Sequence, residues 1–161
     1  MLNKSFTLIE VITAIFLISV GILGVFGLTQ RTFATISFSL DKLTASYLAQ
    51  EGIEIARNIR DGNWLEQRTS PLLPWDDGMP QGAFEADYQA QSLTQAYNGA
   101  FLNIQNGGFY GYGAGNQSKF KRKITLQKPD SSTINVLTEV FWQDRGKSHT
   151  VLTEENLYNW R

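Results

Sequence analysis

The chain has 161 residues, a formal charge of −1 and no cysteine. That length needs no second domain beside an anchor, and the near-neutral balance gives no global attraction to nucleic acid. Without cysteine neither a disulfide framework nor a thiolate metal site exists, so a secreted domain of this size depends on its core and its neighbours.

The run Ser5-Phe6-Thr7-Leu8-Ile9-Glu10 opens an apolar stretch in which Glu10 is the one charge before Arg31. An unpaired carboxylate carried into hydrocarbon is a defect in an ordinary anchor, so Glu10 demands a partner. A cut between Ser5 and Phe6 would create one, because the new α-amine at Phe6 would be a cation at the level of a neighbouring subunit's Glu10. The stretch Phe6-Thr7-Leu8-Ile9-Glu10, behind a short segment carrying Lys4, resembles the processing site of type IV prepilins and pseudopilins. The resemblance implies that residues 1–5 are a leader, that a membrane aspartyl peptidase removes it and methylates Phe6, and that Glu10 serves assembly. Many type IV pilins close a C-terminal loop with a disulfide. This chain departs from them, which favours a minor pilin or pseudopilin.

Residues 11–30 carry no charge, and with Phe6 to Ile9 they are long enough to cross about 30 Å of hydrocarbon as a helix. Residues 6–30 are therefore expected to be a single membrane span and, by the resemblance, the filament-core half of the helix. An ordinary secretory signal would run only about 7 to 15 apolar residues and end at a small-residue cleavage site, and none follows Leu28. A plain signal anchor shares the apolar run and differs in the leader context. Lys4 on one side against Arg31 and Lys42 on the other leaves orientation to the resemblance, which puts the leader in the cytoplasm. Gly21, Gly24 and Gly27 recur every third residue. They read either as membrane helix packing or as local weakness, at about 0.8 to 1 kcal/mol each relative to Ala in an aqueous helix. In the resembled family this region often holds a proline and unwinds when subunits leave the bilayer, and Gly27 stands in the corresponding place.

Beyond Arg31 the pattern becomes amphipathic, with Phe33, Ile36, Leu40, Leu43 and Tyr47 at helical spacing, and a second stripe through Leu48, Ile55, Ala56 and Ile59. The expected helix of the extracytoplasmic domain covers 31–61 and stops at Asp61-Gly62-Asn63. The first stripe is expected to meet Val136, Val140 and Trp142 of a sheet. The run Ala49-Gln50-Glu51-Gly52-Ile53-Glu54 resembles the same helical position in a bacterial pilin-modification subfamily.

A variable loop is expected over 63–118, with a turn-rich connection through Pro71, Pro74, Asp76-Asp77-Gly78 and Pro80 and a strand over 82–89. Asp76 and Asp77 lack the spacing of a calcium loop and read as a solvated turn. Phe109, Tyr110 and Tyr112, interleaved with glycines over 107–115, read as a loop folding its aromatics onto the domain, with stacking on a glycan as the other possibility.

The last third reads as antiparallel sheet, 119–155. Phe120, Arg122, Ile124 and Leu126 alternate with Lys119, Lys121, Lys123 and Thr125, Lys128-Pro129-Asp130-Ser131 turns the chain, and Ile134, Val136, Thr138, Val140 and Trp142 share one face. Asp144-Arg145-Gly146-Lys147 makes a tight hairpin, after which Leu157 and Trp160 close the domain. Phe141-Trp142-Gln143-Asp144-Arg145-Gly146 and Leu157-Tyr158-Asn159-Trp160 resemble the same pilin subfamily.

The three lysines read as a solvated, edge-protecting stripe, and the lone His149 as structural. No Gly-x-Ser-x-Gly or phosphate loop occurs, so no catalytic residue, cofactor or metal is assigned. The sequence thus points to an α+β protein, a long N-terminal helix packed on a C-terminal antiparallel sheet. Its expected function is that of a non-enzymatic filament subunit whose partners are prepilin peptidase, other pilins, the pilus assembly machinery and the membrane. It would reside first in the cytoplasmic membrane and then in an extracellular filament. The alternative is a signal-anchored extracytoplasmic binding or enzymatic domain never cut at Ser5.

Overall fold

The computed structural model describes residues 7–160 as one helix followed by two antiparallel sheets. Helix α1 spans Leu8–Glu66, and the chain divides into two units, one ending at Leu40 and one beginning at Asp41. In the first unit every large apolar side chain from Leu8 to Leu28 is exposed. The helix runs unbroken through Gly21, Gly24 and Gly27. It is long and apolar enough near its N-terminal end to cross a membrane.

In the second unit the outer part of α1 packs on a four-stranded sheet of β1 (Gly82–Phe84), β5 (Lys121–Asp130), β6 (Thr133–Asp144) and β7 (Lys147–Tyr158), in the order β1-β5-β6-β7. Period-two alternation puts Arg122, Ile124 and Leu126 of β5 and Ile134, Val136, Thr138, Val140 and Trp142 of β6 on the buried face. This is the α+β arrangement expected, and the face assignment of both strands matches. Between β1 and β5 three two-residue strands, β2 (Asn103–Ile104), β3 (Tyr110–Gly111) and β4 (Asn116–Gln117), pair in the order β3-β2-β4. They lie within the stretch expected to be irregular. Leu93 and Leu102 are fully buried, so this stretch also adds to the domain interior.

The helix face against the sheet is a correction. Phe33, Ile36, Leu40, Leu43 and Tyr47 are all exposed, and the buried helix residues are Ala45, Leu48, Ala49, Gly52, Ile53, Ile55, Ala56, Ile59 and, in the last turns, Trp64. Close approach explains the choice. Ala45, Ala49, Gly52 and Ala56 follow one another at four- and three-residue steps and so form one line on the helix. A Cβ built on Gly52 would fall 2.5 Å from Thr138 Cγ2. A line of large side chains could not enter so narrow a space, and the small residues, flanked by Leu48, Ile55 and Ile59, do.

Three boundaries also move. The helix passes Asp61-Gly62-Asn63 and ends at Glu66, because packing overrides the local stop signal. Trp64 is buried, with the Trp160 ring 4.6 Å away edge-on and the Arg60 guanidinium 4.5 Å from its ring centroid. The Asn63 amide donates to the carbonyls of Trp75 and Asp77, tying the following loop to this last turn. The strand expected over 82–89 is only three residues long, since Glu85 leaves the ladder and turns inward. Finally, β5 continues through Pro129 to Asp130 with a register shift after Gln127, and Ser131-Ser132 makes the turn. There the Asp130 carboxylate accepts from the Ser132 amide at 2.7 Å. The second hairpin is as expected: Asp144 faces Lys147 across Arg145 and Gly146, both at positive φ, 49° and 76°.

Candidate assembly surface

The first helical turn builds a reciprocal cap. Thr7 Oγ1 accepts from the Glu10 amide at 3.4 Å, while Glu10 Oε2 accepts from the Thr7 amide and hydroxyl, each at 2.9 Å. This Thr-x-x-Glu capping box satisfies donors that the start of a helix otherwise leaves open. The pattern Thr7-Leu8-Ile9-Glu10 is legible in the sequence, and reading Glu10 only through a neighbouring subunit overlooked it. A carboxylate has about four acceptor positions on its two oxygens. The cap engages Oε2 and is chemically compatible with a further cation on Glu10. Ser5 and Phe6, the expected cut and methylation site, lie outside the described residues.

The rest of the segment satisfies its hydroxyl side chains within the helix itself. The hydroxyls of Thr13, Ser19 and Thr29 donate to the carbonyls of Ile9, Ile15 and Val25, at 2.8 to 2.9 Å. Each polar side chain thereby finds a partner inside its own helix, which hydrocarbon requires. Around Gly21 a Cβ would meet nothing within 4 Å, and the same holds at Gly24 and Gly27. Ile18, Ile22, Val25 and Phe26 surround Gly21 to form a shallow apolar groove. Gly21, Gly24 and Gly27 are all helical, with open space beside them.

In the second unit the strongest polar constellation lies under the helix. Arg122 is fully buried, and its guanidinium donates to the Leu48 carbonyl at 3.1 Å, the Ala86 carbonyl at 2.6 Å and the Glu51 carboxylate at 2.8 Å. It joins helix, sheet and the segment after β1. Glu85, also buried, accepts from the amides of Asn98, Gly99 and Ala100 at 3.2, 2.8 and 2.8 Å. Three amides converging on one oxygen fix the loop that leads into β2. At the helix surface Arg57 bridges Glu54 and Glu155 at 2.5 and 2.6 Å. The hydrogen bond to Glu155 holds the Arg57 guanidinium more firmly protonated than usual.

The lysine stripe is more structured than a solvated edge. Lys119 pairs with Asp41 at 2.6 Å, Lys123 pairs with Glu139, and Lys121 lies 4.3 Å from the Phe101 ring centroid. Asp76 pairs with Lys128, and among the described residues no group of three or more His, Asp or Glu converges as a metal site would require. His149 stacks on Trp142 at 5.3 Å. Of the loop aromatics, Tyr112 donates to the Arg122 carbonyl at 3.3 Å, and Tyr110 packs edge-on against Phe120. Phe109 remains exposed beside Tyr88. Burial pushes the Tyr112 phenol pKa upward.

Comparison with known protein families, with curated proteins and with solved structures returns no match for this chain.

Proposed function

We propose that the chain is a structural subunit, a minor pilin or pseudopilin, of a type IV pilus-like filament. In this reading prepilin peptidase cuts between Ser5 and Phe6, the Phe6 amine is methylated, and residues 6–30 hold the subunit in the cytoplasmic membrane until the assembly machinery extracts it. The observation that carries the proposal is a carboxylate in the first turn of a helix whose apolar side chains, Leu8 to Leu28, all face outward. Such a surface needs lipid or neighbouring apolar helices around it. Glu10 is the one group in it able to bind a partner's cation. Desolvation offsets much of the attraction between Glu10 and a Phe6 amine, so the pair sets register more than it adds stability.

Glu10→Ala tests the assembly role. The variant should reach the membrane at normal levels and be missing from sheared filament fractions, whereas ordinary incorporation would count against pairing. The capping box favours a second reading, since a carboxylate already engaged by its own helix suits an uncleaved signal anchor too. Intact mass separates the two: loss of residues 1–5 with one added methyl supports the filament subunit, and retained Met1 in surface-assembled protein refutes it.

A further inference from the structure

Toward the Arg145-Gly146 hairpin the sheet carries a cleft of about 440 Å³, lined by the outward-facing side chains of three strands with Lys119, Trp142 and His149 beside them. Ladder register builds its floor. Lys121, Phe141 and Thr150 lie opposite one another across β5, β6 and β7, and Gln143 faces Ser148 two residues nearer the hairpin. Directly opposed side chains on one face of antiparallel strands stand about 4.5 to 5.5 Å apart at Cβ. The floor is therefore an ammonium, an aromatic ring and a hydroxyl in a row, with an amide and a second hydroxyl beside them. Phe101 forms the wall, its ring centroid 4.3 Å from Lys121 Nζ.

Charge singles out Lys121. Its two neighbours in the stripe are matched, Lys119 by Asp41 and Lys123 by Glu139, and among the described residues Lys121 has no carboxylate partner. Its positive charge rests against an aromatic ring at the cleft wall. A ligand filling this space needs one anionic group for Lys121, a face able to lie on an aromatic ring, and hydroxyls or amides for Gln143, Ser148 and Thr150.

We propose that this cleft binds a carboxylated sugar, a uronate-type pyranose at the end of a glycan. The carboxylate pairs with Lys121, the C–H face of the ring lies on Phe141, and the ring hydroxyls meet Gln143, Ser148 and Thr150. The volume falls within the range of small-ligand sites, about 300 to 1,000 Å³, and admits one or two sugar rings. This proposal does not depend on the filament reading, because every residue in it belongs to the globular unit.

The test is titration calorimetry on the full chain in detergent micelles, with a glucuronate-terminated disaccharide, its neutral glucose counterpart and inorganic phosphate as probes. The glucuronate probe should bind, with saturation transfer from protein to its ring protons. The neutral sugar should bind about tenfold more weakly or worse, as expected when a charge-assisted hydrogen bond is lost. Lys121→Gln should bring the two sugars to equal affinity with an unchanged circular dichroism spectrum, and Lys121→Arg should keep the preference for the acid. Equal affinity for both sugars in the unaltered chain, phosphate binding as tight as the uronate, or no uronate binding at millimolar concentration would each overturn the proposal.

Discussion

Gly52 sits so close to Thr138 that a methyl group in its place would overlap Thr138 Cγ2, at 2.5 Å, and crowd Oγ1, at 2.8 Å. The nearest atoms belong to a short, branched, buried side chain with little freedom to move. Gly52→Ala should therefore destabilise the domain by about 1 to 3 kcal/mol, even though alanine is the better helix former. Thr138→Ala in the same chain should recover part of that loss. A double-mutant cycle from urea melts reads the coupling, and additive effects would show that the two residues do not clash. Arg122 is a different kind of buried contact. Arg122→Ala leaves the Leu48 and Ala86 carbonyls without their donor and strands the Glu51 carboxylate. A loss of about 3 to 5 kcal/mol is expected, as for other broken buried pairs. Tyr112 supplies a pH signature. Its folded-state pKa is raised by burial above the ordinary value of about 10. Above that pH the unfolded chain gives up the phenol proton while the folded chain retains it, so stability falls as pH rises past 10. Tyr112→Phe should flatten that decline in melts between about pH 9 and pH 11, and an unchanged slope would refute the assignment.

At the scale of elements, α1 carries two apolar stripes beyond Arg31, and only one packs on the sheet. Leu48, Ile55 and Ile59 to Ala should each cost about 2 to 5 kcal/mol. Phe33, Ile36, Leu40 and Leu43 to Ala should stay within about 0.5 kcal/mol, since these side chains are exposed. Chemical denaturation of the set decides, and a large loss at any of the four would restore the stripe first expected from periodicity. The sequence shows both stripes plainly, and the three-residue and four-residue spacing is right for each. What periodicity does not encode is how near the partner surface comes. The deciding signal was Ala45, Ala49, Gly52 and Ala56, a line of small residues that hydrophobicity alone ranks below Phe33 or Leu40. The strands are easier to read, because alternation fixes which side chains share a face and so groups Arg122 with Phe120, Ile124 and Leu126 despite its charge. Its partners did not follow from sequence, since Glu51, Leu48 and Ala86 lie far away along the chain. The turn at Ser131-Ser132 was misplaced for a related reason: Pro129 reads as a breaker, yet a register shift lets β5 run through it. At the candidate assembly surface, Glu10 was legible as an isolated charge and its own cap in Thr7 was overlooked.

For the molecule as a whole, the decisive matter is whether the outer helix and the sheet are one folding unit. The helix from Asp41 onward supplies Ile53, Ile55, Ala56, Ile59 and Trp64 to a core that also holds Trp75, Met79, Leu93, Ile124, Leu126, Ile134, Val136 and Leu157. Arg122 and the Arg57–Glu155 pair fasten helix to sheet at two further points. A sheet deprived of that helix would expose a continuous apolar face and leave Arg122 without Leu48 and Glu51. A chain starting at Thr29, lacking the exposed apolar half of the helix, should therefore stay soluble and unfold in a single cooperative transition. Native tryptophans on both partners make the point measurable. Trp64 lies near the end of the helix and Trp142 on the sheet. Variants keeping only one of these two as a reporter should give fluorescence midpoints that coincide with the loss of helical circular dichroism. If instead a fragment from Gly82 onward proved as stable as the chain from Thr29, the sheet would be an independent module hung from an anchor. The uncleaved signal-anchor reading would then gain at the expense of the proposed filament subunit, because that reading rests on a helix built into the core of its own globular domain.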